Sequence, residues 1–339
     1  MPSETEFHLF TSLRYDPLLL TSEENSQSWL NFVSPSPFYM LVYHRDRMLE
    51  AAQHFEFREV AKRLEDGKAL HESLLKEVRA WVEKGGQDEA LKLRILFDRD
   101  ANMTVEFAVL PPVPLSTLYP PSLNPPKATP TPHPANTFKP SPLTGGALNL
   151  GPTDSLPAQS QSTPPPAAEW VVKLDTEPTP STPFTLLKTT HREFYEKSRQ
   201  RALPVNPSSP MLTEVLLYNE VNELTEGTMT SLYFFRGGRW VTPPVGVPAG
   251  EFTSSTLKDG DRNGNGDEGE LRKPFAGRWG HSVRSAKVGA GGQRGTSRRW
   301  ALKKGFCMEE PVGKETVRVG EGVWVSNGVR GFGFGRVVE

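Results

Sequence analysis

The sequence predicts an α/β (α+β) chain of two folded regions joined by a long stretch without the composition of a core. Three observations carry this reading. Short apolar runs bounded by turn residues recur along the chain, as strands require. Residues 44–86 switch to a helical period. After residue 110 the composition turns to Pro, Ser and Thr, which form neither helix nor sheet ladder and bury too little to repay ordering.

The elements follow in order. Residues 7–15, FHLFTSLRY, read as a strand with Phe7, Leu9 and Leu13 on one side. PFYMLVY, 37–43, is a denser apolar run that suits a buried strand. HRDRMLEAAQHFEF then places Met48, Ala51, Ala52 and Phe55 on one helical face. Helical character continues to residue 86, with breaks at Gly67 and at Gly85-Gly86. LKLRILFDRDANMTVEFAVL reads as two strands around a turn at Asp98 to Asn102. The N-terminal α/β domain is therefore placed at 1–110 and a flexible, partly extended insertion at 111–168.

Structure is expected to resume at residue 169 in a C-terminal domain running to 339. Val171 to Leu174 are strand-like, and Phe184 to Leu187 form a second short apolar run that ends at Lys188. HREFYEKSRQRA has helical spacing, with Phe194 and Ser198 on one face. Strands are expected at 214–220 and within 231–244, where Gly237-Gly238 offers a hairpin turn. Residues 246–294 read as a second loose segment. Its KDGDRNGNGDEGE superficially resembles a calcium loop but lacks the helix–loop–helix setting and the final-Glu spacing, so a polar surface loop is expected. A helix begins near Thr296 or Ser297, and a strand, Val323 to Val325, runs into a glycine-rich turn at Asn327-Gly328.

Composition narrows the partners. Lys plus Arg number 39 and Asp plus Glu 40, a net charge of -1, so neither nucleic acid nor an anionic membrane is the expected partner. A small anionic substrate needs only a local cluster and stays open. Cys307 is the single cysteine, which excludes an internal disulfide. The polar, acidic start lacks the pattern of a signal or transit peptide, and no stretch reaches the roughly 18 apolar residues of a membrane span. A cytoplasmic protein is expected. No Cys/His/Asp cluster has metal spacing, and His44 and His191 read as structural or surface groups.

Three transitions stand out. Lys188 lies where an apolar run ends, Thr296 and Ser297 lie at a helix start, and Ser326, Asn327 and Gly328 leave a strand through a turn. A helix start offers free N–H groups and the positive dipole end to an anion. With an arginine added, these parts can hold a phosphate while an amine reacts beside it.

Six segments then point to a family. FTSLRYDP, YHRDRMLEAAQHFEF, FTLLKTTHREFYEKSR, NELTEGTMTSLYFFRGGRWVTPP, GGQRGTSRRWAL and GEGVWVSNGVRGFGFGRV occur in this order. Together they resemble the fold-type IV pyridoxal-phosphate enzymes, the class IV aminotransferases, and most of all their fungal 4-amino-4-deoxychorismate lyase-like branch. The resemblance implies two α/β domains with a cleft for pyridoxal 5'-phosphate between them, and a homodimer. By resemblance Lys188 is the catalytic lysine that bonds the cofactor, Glu226 the acid at its pyridine nitrogen, and Arg47 the arginine on its phosphate. Thr296 and Ser297 supply further phosphate contacts, and Asn327-Gly328 falls at the last phosphate and substrate loop. Thr228 and Thr230 match small residues near the cofactor, and Tyr195 is a possible pocket member. Arg14, Arg298 and Arg330 are candidates, on composition, for holding substrate carboxylates.

The chemistry agrees with those roles. A lysine that must lose its proton gains from burial beside other cations, and a carboxylate at the pyridine nitrogen keeps it protonated. The expected reaction is a lyase step giving 4-aminobenzoate and pyruvate for folate biosynthesis. The alternatives are an aminotransferase acting on an amino acid and a 2-oxo acid, and a non-catalytic relative working through protein contacts.

Overall fold

The computed structural model describes residues 7–126, 169–203, 212–245 and 291–339, together with the backbone of two short strands at 275–276 and 281–282. The described residues up to Asn124 and from Glu169 onward form one compact unit. Its first layer is an antiparallel meander of β1 (Leu9–Tyr15), β2 (Leu91–Phe97) and β3 (Met103–Val109), in register from Leu9 opposite Phe97 to Tyr15 opposite Leu91.

Alternation gives this sheet two faces. Leu9 and Leu13 join Leu91, Leu93, Ile95 and Phe97 in a core against α1 (Leu41–His54), α2 (Arg58–Glu65) and α3 (Gly67–Glu83). Met48, Ala51 and Ala52 meet it from α1, and Leu70, Leu74 and Val78 from α3, at the helical spacing read from the sequence. The intervening residues Phe10, Ser12, Lys92 and Arg94 point to the other side, where they line a cavity.

The second layer is an eight-stranded mixed sheet in the order β11-β8-β7-β12-β13-β4-β5-β6. Its strands are β4 (Trp170–Leu174), β5 (Thr213–Tyr218), β6 (Leu224–Gly227), β7 (Ser231–Arg236), β8 (Arg239–Thr242), β11 (Met308–Glu309), β12 (Gly322–Asn327) and β13 (Gly331–Val338). The short pair β9 (Phe275–Ala276) and β10 (His281–Ser282) is separate and antiparallel. Period-2 burial again sets the faces. Leu232, Phe234, Val323 and Val325 enter one core, while Tyr233 and Trp324 enter another with Trp300 of the helix Thr296–Lys303.

Several elements differ from the sequence reading. PFYMLVY is not a strand: Phe38 makes one isolated bridge to Tyr15, and the chain turns at Met40, with φ 58, into α1. Phe38 and Leu41 enter one core, and Tyr39 and Met40 another, so burial on all sides hides the helical period. The run before Lys188 is a helical turn, α5 (Pro183–Leu186), rather than a strand. The turn expected at Asn327-Gly328 leads into a strand that was not anticipated, β13; its Gly333 and Gly335 lie flat against Trp170, where a Cβ would sit 2.1 Å and 2.4 Å from the nearest atoms.

The first part of the Pro-rich segment is packed, through α4 (Leu115–Leu118), with Leu118 and Leu123 buried and the Trp324 indole donating to the Leu123 carbonyl at 2.8 Å. Residues 127–168 lie outside the described residues, as do most of 246–290 and the acidic KDGDRNGNGDEGE. Residues 291–294, read as the end of a loose segment, are buried against β6. No helix among the described residues is long and apolar enough to cross a membrane.

Candidate active site

Lys188 is placed by backbone pairing. After α5, Leu186 and Leu187 enter the first core and the chain runs extended beside β1. The Phe10 amide donates to the Lys188 carbonyl at 3.3 Å and the Thr190 amide to the His8 carbonyl at 2.9 Å. Lys188 is half-buried, with its Nζ 4.9 Å from the centre of the Phe10 ring. Burial, then Arg192 and Arg47, push its amine well below the ordinary lysine range, against the opposing pull of Glu226. A neutral amine is a nucleophile and a base.

Glu226 is the third residue of β6, a strand missed in the sequence because it is only four residues long. Its Oε1 accepts from the Tyr195 hydroxyl and its Oε2 from the Gln293 amide at 3.1 Å. Burial raises its pKa, while the bonds from Tyr195 and Gln293 and the charges of Arg192 and Lys188 pull it back. Tyr195 and Ser198 are the buried positions of α6 (Glu193–Ala202).

Arg47 lies on α1 and is buried; desolvation lowers its pKa to about 10. Its Nη2 donates to Thr11 Oγ1 at 2.7 Å. The Thr11 hydroxyl proton is then free for His44 Nδ1, also 2.7 Å away. His44 is fully buried and held neutral by burial, so it is a structural group, as expected.

The second helix of the site, α7 (Thr296–Lys303), opens at the cavity. Thr296 lines it with Asn327 and Gly328. Ser297 does not; its hydroxyl meets Ser326 Oγ at 2.8 Å, and Ser326 faces the cavity in its place. Asn327 Oδ1 accepts from the amides of Val329 and Arg330 at 3.0 and 2.8 Å, which shapes the turn. At Gly328 a Cβ would lie 2.6 Å from both the His44 ring and Thr296 Oγ1. Arg47 Nε and Thr296 Oγ1 are buried and unpartnered among the described residues. Unsatisfied donors at a helix start, with no side chain at Gly328, fit a phosphate monoester.

Lys188, Glu226, Tyr195, Gln293, Arg47, Thr296, Ser326, Asn327 and Gly328 line one cavity of about 430 Å³. Four cations on its wall were missed in the sequence reading of roles: Lys92, Arg94, Arg192 and Arg199. The signal for Lys92 was available, since it alternates with the buried Leu91 and Leu93. Of the three arginines considered for carboxylates, Arg330 lines the cavity. Arg14 is instead bound to Asp16 at 2.7 Å, and Arg298 to Glu309 at 2.6 Å, both away from the cavity wall. Glu214, also missed, is fully buried and accepts from Thr228 Oγ1 at 2.5 Å, Thr230 Oγ1 at 2.7 Å and the Met229 amide at 3.1 Å. It fixes the turn that carries both threonines into the wall. Its trace in the sequence is an acid in a strand buried at every position. No group of three or more His, Cys, Asp or Glu that could hold a metal occurs among the described residues.

Residues 136–248 match the family described as amino-transferase class IV. The chain is 30% identical over 110 residues to the "Putative aminodeoxychorismate lyase" of Schizosaccharomyces pombe; the match covers 31% of this chain and 46% of that protein, about half its length. Among solved structures, a "Putative amino-acid aminotransferase" from Mesorhizobium loti aligns with a TM-score of 0.54 at 16% identity, over 98% of this chain and 100% of that one. A "Putative 4-amino-4-deoxychorismate lyase" from Legionella pneumophila aligns with a TM-score of 0.49 at 10% identity, over 98% and 84%. The matched residues include two of the six segments, FTLLKTTHREFYEKSR and NELTEGTMTSLYFFRGGRWVTPP, and the architecture is that of the fold-type IV enzymes.

Proposed function

We propose that this chain, with class IV amino-transferase sequence on the fold-type IV architecture, is a pyridoxal 5'-phosphate-dependent lyase. Its best-fitting substrate is 4-amino-4-deoxychorismate, converted to 4-aminobenzoate and pyruvate. One observation carries the reading: an amine with a depressed pKa shares a cation-walled cavity with a half-buried carboxylate and an unsatisfied anion cradle.

The residues divide the work. Arg47, Thr296 and the backbone at Gly328 would hold the phosphate, and Glu226 would face the ring nitrogen. Bound there, pyridoxal phosphate supplies an aldehyde for the substrate amine and a ring that takes up electrons. Lys188 Nζ takes the proton from the substrate carbon that bears the amino group, a role suited to a lysine whose pKa burial and the neighbouring Arg192 and Arg47 push well below the ordinary range. Arg330 and Lys92 face the cavity from the turn after β12 and from β2, where they suit the carboxylates of a dianionic substrate. That cationic wall favours the lyase substrate over a neutral amino acid.

Purified protein loaded with pyridoxal phosphate is expected to release pyruvate from aminodeoxychorismate with no 2-oxo acid present. The description of the matched family favours a second reading, transamination, which uses the same residues. Turnover that requires a 2-oxo acid acceptor and yields no pyruvate would replace the first reading with the second.

A further inference from the structure

The segment Gly291 to Arg294 follows residues 246–290 and was read in the sequence as part of a loose stretch. It is instead one of the closest-packed pieces of the site. A Cβ at Gly291 would lie 2.8 Å from the Thr225 side chain. Gly292 has φ +88, and its Cβ would meet the Thr225 carbonyl oxygen at 3.0 Å and Glu226 Cβ at 3.3 Å. The pair therefore lies flat on β6, where side chains would hold it off.

That approach delivers Gln293, which is 6% exposed, to Glu226. The Gln293 amide donates to Glu226 Oε2 at 3.1 Å, and its side-chain Nε2 donates to Tyr195 Oη at 3.1 Å. The Tyr195 hydroxyl in turn donates a hydrogen bond to Glu226 Oε1. The next residue, Arg294, is buried and lies 3.5 Å from Glu50 of α1, the helix that carries Arg47. Two residues later α7 opens with Thr296. One short run thus links the carboxylate end of the cavity to its anion cradle.

We propose that Gln293 is a positioning residue for Glu226, closing a three-membered ring of hydrogen bonds that orients both carboxylate oxygens before a ligand enters. Its backbone acts on Glu226 directly, and its side chain acts through Tyr195. A phenol whose oxygen accepts from an amide is a stronger donor to the carboxylate it faces. Gln293 therefore keeps Glu226 ionised and aimed, although it carries no charge itself. The inference rests on the reading of Glu226 as the partner of the cofactor ring.

The test is a double-mutant cycle on the full chain stripped of cofactor, with affinity for pyridoxal phosphate read by quenching of tryptophan fluorescence. Gln293→Met keeps the length and removes the donor. It is expected to weaken binding about three- to tenfold, the worth of one hydrogen bond, and to do so hardly at all in a Tyr195→Phe background. Gln293→Glu, a second variant of native size, sets an anion beside Glu226 and is expected to lose more, with recovery as pH falls. Unchanged affinity in Gln293→Met, or an equal loss with Tyr195→Phe already present, overturns the proposal while Glu226→Gln still weakens binding. Unchanged affinity in Glu226→Gln overturns the reading of Glu226, and the proposal with it.

Discussion

Replacing Arg47 by Met should move stability and cofactor affinity in opposite directions. In the ligand-free chain the guanidinium is buried, bonded to Thr11 at 2.7 Å, and its Nε has no partner among the described residues. Arg192 adds repulsion, and only part of the cost is offset by Glu226 and Glu50. A pKa near 10 in place of the ordinary arginine value corresponds to roughly 3 kcal/mol against the charged form, at about 1.4 kcal/mol per tenfold. Methionine removes that penalty and keeps the volume. It leaves Thr11 without one donor, at about 1 kcal/mol. The net is a gain of about 1–2 kcal/mol, or about 2–5 °C in melting temperature. Binding goes the other way. Two charge-assisted bonds to a phosphate, at about 1.5–3 kcal/mol each, make the loss in affinity at least about a hundredfold. Differential scanning fluorimetry of the cofactor-free protein and fluorescence titration with pyridoxal phosphate read the two arms. A variant that melts several degrees lower, or one that binds as tightly as the parent, refutes the reasoning.

The remaining expectations are more direct. Uptake of pyridoxal phosphate by the cofactor-free protein, followed as visible absorbance, should stay fast to a pH well below the ordinary lysine value, because Lys188 loses its proton early. Its acid limb should move to lower pH in Glu226→Gln, since Glu226 raises the Lys188 pKa; a limb that moves up contradicts the assignment. Arg330→Gln should raise KM for a dianionic substrate by about 10- to 100-fold with little change in kcat, whereas Arg14→Gln should show its main effect in denaturant melts. Glu214→Gln should cost about 2–4 kcal/mol in urea unfolding, because an amide cannot accept from two hydroxyls and two amides at once. Stability should fall as pH drops below about 6.5, the ordinary histidine value, because the unfolded chain takes up a proton that buried His44 refuses. His44→Gln should flatten that slope in melting temperature against pH.

Periodic elements were legible from local pattern alone. Alternation in β2 and the apolar stripe of α1 follow from backbone geometry, which repeats whatever the rest of the chain does. The hairpin at Gly237-Gly238 is equally local, since both residues take positive φ. Lys188, Glu226 and Arg47 were found through ordered motifs, and each lines the cavity. The short elements were not legible. β6 has four residues, and β13, with three glycines, carries no strand signal until Trp170 is seen filling the space two of them leave.

What the sequence determined by itself is chemistry and period: an amine, a carboxylate and a guanidinium in motifs that resemble one family, on strands and helices whose faces can be counted. Tertiary structure decided convergence. Arg14, Arg298 and Arg330 are equal as residues, yet Asp16 and Glu309 take the first two and leave the third on the cavity wall. Gln293 reads as loop until its amide is found on a carboxylate 67 residues away. The reason is physical: a side chain's charge is a local property, but its partner, its burial and its pKa belong to whatever the folded chain brings within a few ångströms.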